Sequence, residues 1–382
     1  MEISRKFWRG KKVFVTGHTG FKGAWLSALL LSMGSTVKGF ALAPPTDPSL
    51  FAALDLDADM QSVSGDIRNL DLLKSHLDTF EPDIVIHMAA QAIVRESYQN
   101  PVDTFQVNAM GTAHVLEAVR YLNNAKAVIC VTSDKCYENR EWPWKYREND
   151  SMGGWDPYSA SKGCSELVVA SYRNSFFNKE RYNHHGVAIA SVRAGNVIGG
   201  GDWGQDRLIP DIMKAFSQNE SVIIRNPFAI RPWQFVLDLL SGYLLLAQRL
   251  FEDGSNYMEA WNFGPNDSDE RSVRDIVQLA VDLWGNGACW KSDANAAANP
   301  HEAFTLKLDS GKSRSRLGWM PKLDIENSLA YVVDWYKHYY SNSTSMKHYT
   351  EQQIGCFEKH LQLSSSSSFN ISGRYTDDSI CQ

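Results

Sequence analysis

The sequence predicts an α/β fold, a doubly wound parallel sheet with a smaller C-terminal α/β lobe. Three observations carry that expectation: apolar, β-branched runs alternate with amphipathic segments through the first half, a glycine-rich turn follows the first run, and the rhythm loosens after residue 195. The expected strands are residues 12–16 (Lys-Val-Phe-Val-Thr), 36–42, 84–87, 127–132 and 187–193. Helices are expected at 23–33, 69–80, 101–123 and 159–176. In the helix beginning at Pro101, positions 112, 115, 116, 119 and 122 form one mostly apolar stripe, as a sheet-packing helix requires. Beyond residue 195, short strands at 222–225 and 261–263 and helices at 207–218, 235–250 and 272–284 are joined by longer polar connections. Ser272 with Asp275, ahead of an apolar stripe, reads as a capping box. The serine run at 364–368 lacks periodicity and reads as part of a loose tail.

Bulk composition narrows the partners. The chain has 382 residues, 43% hydrophobic and 21% charged, with a net charge of −6. That balance suits a soluble globular protein and argues against nucleic acid or an anionic membrane as a partner. A small anionic substrate remains compatible, since it needs only a local cluster of cations. The six cysteines are scattered without metal-binding spacing, so free thiols in a reducing, cytoplasmic setting and no bound metal are expected. No apolar run approaches the ~18 residues of a membrane span.

Residues 16–23, Thr-Gly-His-Thr-Gly-Phe-Lys-Gly, follow the first strand and open a helix. Glycines in such a turn permit a tight bend and close backbone approach, so a pyrophosphate can sit on the helix N-terminus. The architecture is therefore Rossmann-type, and Gly17, Thr19, Gly20, Phe21, Lys22 and Gly23 are the candidate cofactor contacts. The second strand ends Gly39-Phe40-Ala41-Leu42-Ala43, with neither an acid for a ribose 2′-hydroxyl nor an arginine for a 2′-phosphate; NAD is the expected dinucleotide. Asp66, before Ile67, is placed to reach an adenine amino group or to cap a turn. These readings divide the chain into an NAD-binding domain at 1–195, a substrate lobe at 196–345 interleaved with it, and a tail at 346–382.

Two polar clusters carry chemistry. Tyr158 and Lys162 are one turn apart on one helix face, so the ammonium, near a positively charged nicotinamide, is expected to lower the phenol and let it take a proton from a hydroxyl being oxidised. Thr132, Ser133, Asp134 and Lys135 stand at the carboxyl end of the fifth strand, where open α/β sheets bind ligands. Ser133 can bond that hydroxyl, while Asp134 and Lys135 supply the acid and base of an elimination. Arg207 and Arg231 are candidates for a diphosphate and Asn196 for a phosphate or sugar oxygen. Trp142, Trp144 and Trp203 suit a sugar or base pocket, and packing explains them equally well.

Together these residues resemble the extended short-chain dehydrogenase/reductase family, and within it the nucleotide-sugar 4,6-dehydratases. The resemblance runs from Gly10 to about Tyr340. It adds His87-Met-Ala-Ala90, Asn108 in Val-Asn-Ala-Met-Gly-Thr, Leu208-Ile-Pro210, Arg231-Pro-Trp-Gln-Phe-Val-Leu-Asp238 and the late Leu317-Gly-Trp-Met-Pro321. It implies Asp66, Ile67, Ala89, Ala90, Asn108 and Thr132 as further cofactor contacts and Leu208 as a substrate contact. The glycine loop Gly-His-Thr-Gly-Phe-Lys-Gly-x-Trp-Leu resembles the branch acting on CDP-glucose. Lysine at 135, where the commoner pattern has glutamate, implies an amine as the base at C5, which requires it neutral. A deoxysugar route to surface lipopolysaccharide and a homodimer or homotetramer through the helices at 101–123 and 159–176 are likewise implied. A nucleotide-sugar 4-epimerase shares Tyr158 and Lys162 but has no use for an acid–base pair, so Asp134 and Lys135 argue against it. A non-catalytic NAD-binding regulator would typically lack the tyrosine or the lysine.

Overall fold

A computed structural model describes residues 3–293, 305–342 and 345–366. Its core is a seven-stranded parallel sheet: β1 (Lys12–Thr16), β2 (Thr36–Ala41), β3 (Gln61–Ser64), β4 (Ile84–His87), β5 (Ala127–Val131), β6 (Ala188–Ala194) and β7 (Ala260–Phe263). The order is β7-β6-β5-β4-β1-β2-β3, so the direction of winding reverses between β1 and β4. Thr16 is level with both Phe40 and His87, His87 with Cys130, and Val131 with Val192. That register brings the turns after β1, β4 and β5 to one edge, beside the switch point where such sheets bind ligands.

The central strands are buried on both faces, which their unbroken apolar runs require. Phe14, Val15, Ile84, Val85, Ile86, Val128 and Ile129 are fully covered. Helix Phe21–Ser32 starts straight from the glycine loop, and Trp25 on it donates its indole N–H to the carbonyl of Gly200 at 2.9 Å. Helix Val236–Asp253 is buried on nearly every side, as its sequence of leucines dictates.

The later lobe holds a three-stranded sheet of Asn196–Ile198, Ile230–Phe235 and Glu270–Ser272, and a pair of strands, Val222–Ile224 and Trp290–Ser292. Helix Val273–Trp284 begins with the expected capping box, Ser272 and Asp275 each accepting the other's backbone N–H. Strand β7 comes late in the chain yet completes the main sheet beside β6, because Trp261, Asn262 and Phe263 are buried on both faces.

Several elements differ from the sequence expectation, and helix Ile325–Ser341 is not among the expected ones. The helix expected over 101–123 ends at Val119, and Gln106–Met110 within it widens to a π turn that presents Asn108 inward. Strand β6 is shifted by one residue, to 188–194. Residues 346–366, expected within the tail, form a helix seated through Met346, Ile354 and Phe357; the last ring lies 6.2 Å from Phe235. Its apolar positions are sparse along the sequence, so its stripe is weak beside the polar and serine-rich residues around it. Residues 367–382 of the expected tail lie outside the described residues. Among the described residues no helix is long and apolar enough to cross a membrane.

Candidate active site

The glycine loop is shaped by backbone crowding. Gly17 has φ of +77°, and a Cβ on it would stand 2.7 Å from the amide nitrogen of Ala89. A Cβ on Gly23 would stand 2.1 Å from the carbonyl oxygen of Gly17. Thr16 locks the two turns together: its hydroxyl accepts the N–H groups of Met88 and Ala89 and meets His87 Nδ1 at 2.7 Å. Burial pushes His87 down to about 3, so the ring is neutral. One nitrogen then accepts from Thr16, and the other donates to Thr112 at 3.2 Å. Thr19 donates to the carbonyl of Leu42, and the His18 imidazole covers Gly39, where a Cβ would clash at 2.2 Å.

The first turn of helix Phe21–Ser32 has no capping side chain and no acid, and it carries half-buried Lys22. Its N–H groups and dipole are left to an anion. At the switch point of a doubly wound sheet, with backbone approach protected by Gly17 and Gly23, these residues fit the diphosphate of a dinucleotide.

The catalytic candidates converge one turn away. Ser133, Asp134 and Lys135 leave β5 in a tight turn in which the Ser133 hydroxyl accepts the N–H of Lys135 at 3.2 Å and donates to Asp134 Oδ1 at 3.0 Å. Helix Pro157–Ser175 begins under the Asp156 cap and brings Tyr158 and Lys162 to the same place, both buried. Lys162 Nζ lies 3.4 Å from the carbonyl of Val131. Gly195 leaves room for Asp134, since a Cβ there would meet Asp134 Oδ2 at 3.1 Å and Pro232 at 2.9 Å.

Burial governs the electrostatics. It raises the Asp134 carboxyl, against the nearby charge of Lys135 and the Ser133 hydrogen bond, so this side chain is suited to hold a proton. Burial, with the neighbouring charge of Lys22, brings Lys162 down to about 8. Lys22 also falls to about 8 through burial and the charge of Arg207, opposed by Asp134 and Asp202. Among the protein's own groups burial dominates at Tyr158 and lifts it to about 12, outweighing the downward pull of Ser133 and Arg207. The charge of Arg207 is one of the influences that favour the phenolate.

Other expected contacts have protein partners. Asp66 accepts the backbone N–H of Arg68 at 2.8 Å and pairs with its guanidinium, which holds the carboxylate below its usual range. Asn108 is buried and spans two elements, donating to Gln91 O and Ser161 Oγ while accepting the N–H of Gln91. Ile67 packs on Gly111, and the Thr132 hydroxyl donates to Glu166 at 2.5 Å. Ala90 lies in the turn after β4 beside Ala89. Arg207 donates to both oxygens of Asp202, at 2.9 and 3.1 Å, directly before Leu208 opens its helix. Asn196 and Arg231 lie on neighbouring paired strands of the small sheet. Trp203 packs against Trp335, Tyr336 and Tyr339, Trp142 stacks on Tyr146, and Trp144 is exposed.

Sequence reasoning missed Asp202, Glu166 and Arg193. Glu166 follows Tyr158 and Lys162 at intervals of four, so the helical period already placed it on their face. Asp202 after three glycines was an equally visible acid.

A CDP-glucose 4,6-dehydratase of Salmonella typhimurium is 56% identical over 88% of this chain and 93% of its own length. A dTDP-glucose 4,6-dehydratase of Xanthomonas campestris is 26% identical over 84% of this chain and 92% of its own. Among solved structures, the dTDP-glucose 4,6-dehydratase DesIV of Streptomyces venezuelae, which has NAD bound, superposes with a TM-score of 0.69 at 22% identity, covering 88% of this chain and 99% of that one. The family described as GDP-mannose 4,6 dehydratase matches residues 14–331, a span holding the glycine loop, the β5 cluster, the Tyr158 helix and the small lobe; the chain belongs to that family.

Proposed function

We propose that this chain is a hydro-lyase that converts CDP-glucose to CDP-4-dehydro-6-deoxyglucose with bound NAD, in deoxysugar biosynthesis. The observation that carries the reading is an acid and a base, Asp134 and Lys135, on one turn beside buried Tyr158 and Lys162. The high identity to a dehydratase of that substrate supports the choice of nucleotide.

Bound NAD would supply a reversible hydride acceptor for oxidation at C4 and reduction at C6. The protein's part is proton traffic and placement. Ser133 Oγ orients the C4 hydroxyl, and Tyr158 Oη takes its proton as a phenolate, a form that burial alone disfavours and that the positive charge of a bound oxidised nicotinamide would favour. The resulting ketone acidifies C5–H, which lets Lys135 Nζ remove that proton. Asp134, its carboxyl raised by burial, gives a proton to the departing C6 hydroxyl, and water leaves. Lys135 then returns a proton to C5, and Tyr158 loses and Asp134 regains a proton by exchange with solvent. Gly17, Thr19, Gly20, Phe21, Lys22 and Gly23 hold the cofactor's diphosphate side, while Arg207, Arg231, Asn196 and Leu208 face the substrate's diphosphate and sugar. Arg207 reaches the substrate by exchanging Asp202 for phosphate oxygens.

We further infer a cytoplasmic homodimer built on the helices around 101–119 and 157–175, and a product destined for surface polysaccharide. The test is incubation with CDP-glucose beside other nucleotide-glucoses. The expected product is a 4-keto-6-deoxy sugar, seen by its absorbance in alkali; recovery of CDP-galactose alone would sink the dehydratase reading. In a second arm, Lys135→Ala should still oxidise C4 yet incorporate no solvent deuterium at C5. Deuterium entry at the parental rate would remove Lys135 from the role of base.

A further inference from the structure

Beneath the active site lies a charged network that the chemistry above does not use. Glu166 and Arg193 form an ion pair with side-chain exposures of 4% and 2%. The pair is two-pronged, Arg193 Nε donating to Oε1 at 2.9 Å and Nη2 to Oε2 at 2.8 Å. Each carboxylate oxygen also accepts a hydroxyl, Thr132 at 2.5 Å on Oε1 and Ser191 at 2.7 Å on Oε2. The remaining nitrogen of Arg193, Nη1, donates to Tyr137 Oη at 2.6 Å and to the carbonyl of Glu148 at 3.1 Å. Tyr137 passes its own proton to Asn262 Oδ1 at 2.8 Å, and Asn262 donates in turn to the carbonyl of Tyr146 at 2.9 Å.

What this network grips is specific. Thr132 immediately precedes Ser133, and Tyr137 follows Lys135 by two residues, so the pair holds both ends of the turn that carries the elimination groups. Glu166 itself rides on the helix of Tyr158 and Lys162, two turns further along the same face. One end of the network is therefore fixed to the oxidation pair and the other to the elimination pair. A buried ion pair adds little net stability over an apolar packing of the same shape, but its fixed fork geometry imposes a register. A change of about 1 Å in the placement of reacting groups can cost ~10²-fold in rate.

We propose that Glu166 and Arg193 are positioning residues for the elimination step, setting the Ser133–Lys135 turn against the Tyr158 helix, with Tyr137 as the rear tether. The inference rests on the dehydratase reading above. It assigns the rear tether to water loss rather than to C4 oxidation: Tyr158 and Lys162 are held by their own helix, and Ser133 follows directly on Thr132, which stays in the sheet through its N–H to the carbonyl of Val192 at 2.9 Å, whereas Tyr137 secures the turn behind Asp134 and Lys135.

The test compares Tyr137→Phe, Glu166→Gln and Ser191→Ala with the parent in single turnovers on CDP-glucose with NAD. Tyr137→Phe leaves the ion pair whole and removes only the tether, so it remains informative where Glu166→Gln folds poorly. Ser191→Ala removes a bond to the same carboxylate without touching the turn and serves as the control. Tyr137→Phe should oxidise C4, seen as reduced-nicotinamide absorbance, within about twofold of the parent while solvent deuterium enters C5 ~10-fold or more slowly. Ser191→Ala should match the parent in both. Amide hydrogen exchange, read without substrate, should quicken at residues 132–137 in Tyr137→Phe and Glu166→Gln and stay parental elsewhere in the sheet. Equal losses of oxidation and C5 exchange, parental C5 exchange in Tyr137→Phe, or unchanged protection at 132–137 would each overturn the proposal. A parent that yields no 4-keto product would overturn the functional reading instead, and amide exchange would still decide the tether.

Discussion

Burial acts on Asp134 and Lys22 in opposite senses, raising the carboxyl and bringing the ammonium down to about 8. Both shifts favour the neutral form, and both come from the low-dielectric floor beneath the cleft. The consequence for Lys22 is a stability effect of definite sign. Its folded value, about 8, lies below the ~10.4 of an unfolded chain, so between those values the unfolded chain binds the proton and the folded one does not. Stability from this group therefore rises with pH across about 8 to ~10.4, and below about 8 the folded state carries the full cost of the buried charge. Lys22→Met should raise the melting temperature at pH 7 and flatten the pH dependence above 8. Thermal melts over that range check it, and a Lys22→Met melting temperature below the parent's at pH 7 would refute the assignment. The same side chain shows what residue types alone concealed. From sequence Lys22 is one position in a glycine loop; in the fold it feels the charges of Asp134 and Asp202, which favour its ammonium, and of Arg207, which opposes it.

At the scale of elements, the glycine loop separates glycines that look alike in the sequence. Gly20 has φ of −78° and its Cβ would meet only the Gly17 carbonyl, at 3.6 Å, an ordinary contact. Gly23 has no such room, with the same oxygen at 2.1 Å and His18 Cα at 2.8 Å. Gly23→Ala must move backbone, at a cost of about 1–3 kcal/mol or more, and displaces the helix start that faces the diphosphate. Gly20→Ala should stay within ~1 kcal/mol of the parent, since an N-cap glycine forms no side-chain bond to lose. Denaturant unfolding of the two variants, with NAD affinity by calorimetry, gives the comparison; equal effects would discard the crowding argument. The motif as a whole was legible because strand, turn and helix signals fall in a row. The contacts that distinguish its glycines come from the β4 turn and the loop's own carbonyl, which no local pattern encodes. The 101–119 helix shows the same limit: its apolar stripe was readable, whereas the π turn at Gln106–Met110 accompanies Asn108 reaching across to Gln91 and Ser161. The helix at 346–366 was hidden by its few apolar residues, which only Phe235 and its neighbours give a reason to order.

At the scale of the whole molecule, the helix bearing Tyr158 has two duties. Its inner face carries Tyr158, Lys162 and Glu166, while Leu167 on its outer face is 62% exposed. The adjoining helices that pack beside it expose Tyr98 at 56%, Val102 at 69% and Met110 at 52%. Large apolar side chains grouped on one side of a monomer mark an interaction surface. Two copies related by a twofold axis would bring this surface against itself, so each outward side chain meets the same patch on its partner. Such a dimer would buttress the catalytic helix from behind, and the site's geometry would then depend on assembly. Val102→Asp with Leu167→Asp would place four carboxylates in that interface, two from each copy, at positions that cost a solvated monomer little. The parent should sediment as a dimer, or as a tetramer containing it, with a melting temperature that rises with protein concentration. The double variant should sediment as a monomer whose melting temperature is independent of concentration. A parent that sediments as a monomer at assay concentrations, or a double variant that assembles like the parent, would move the interface elsewhere.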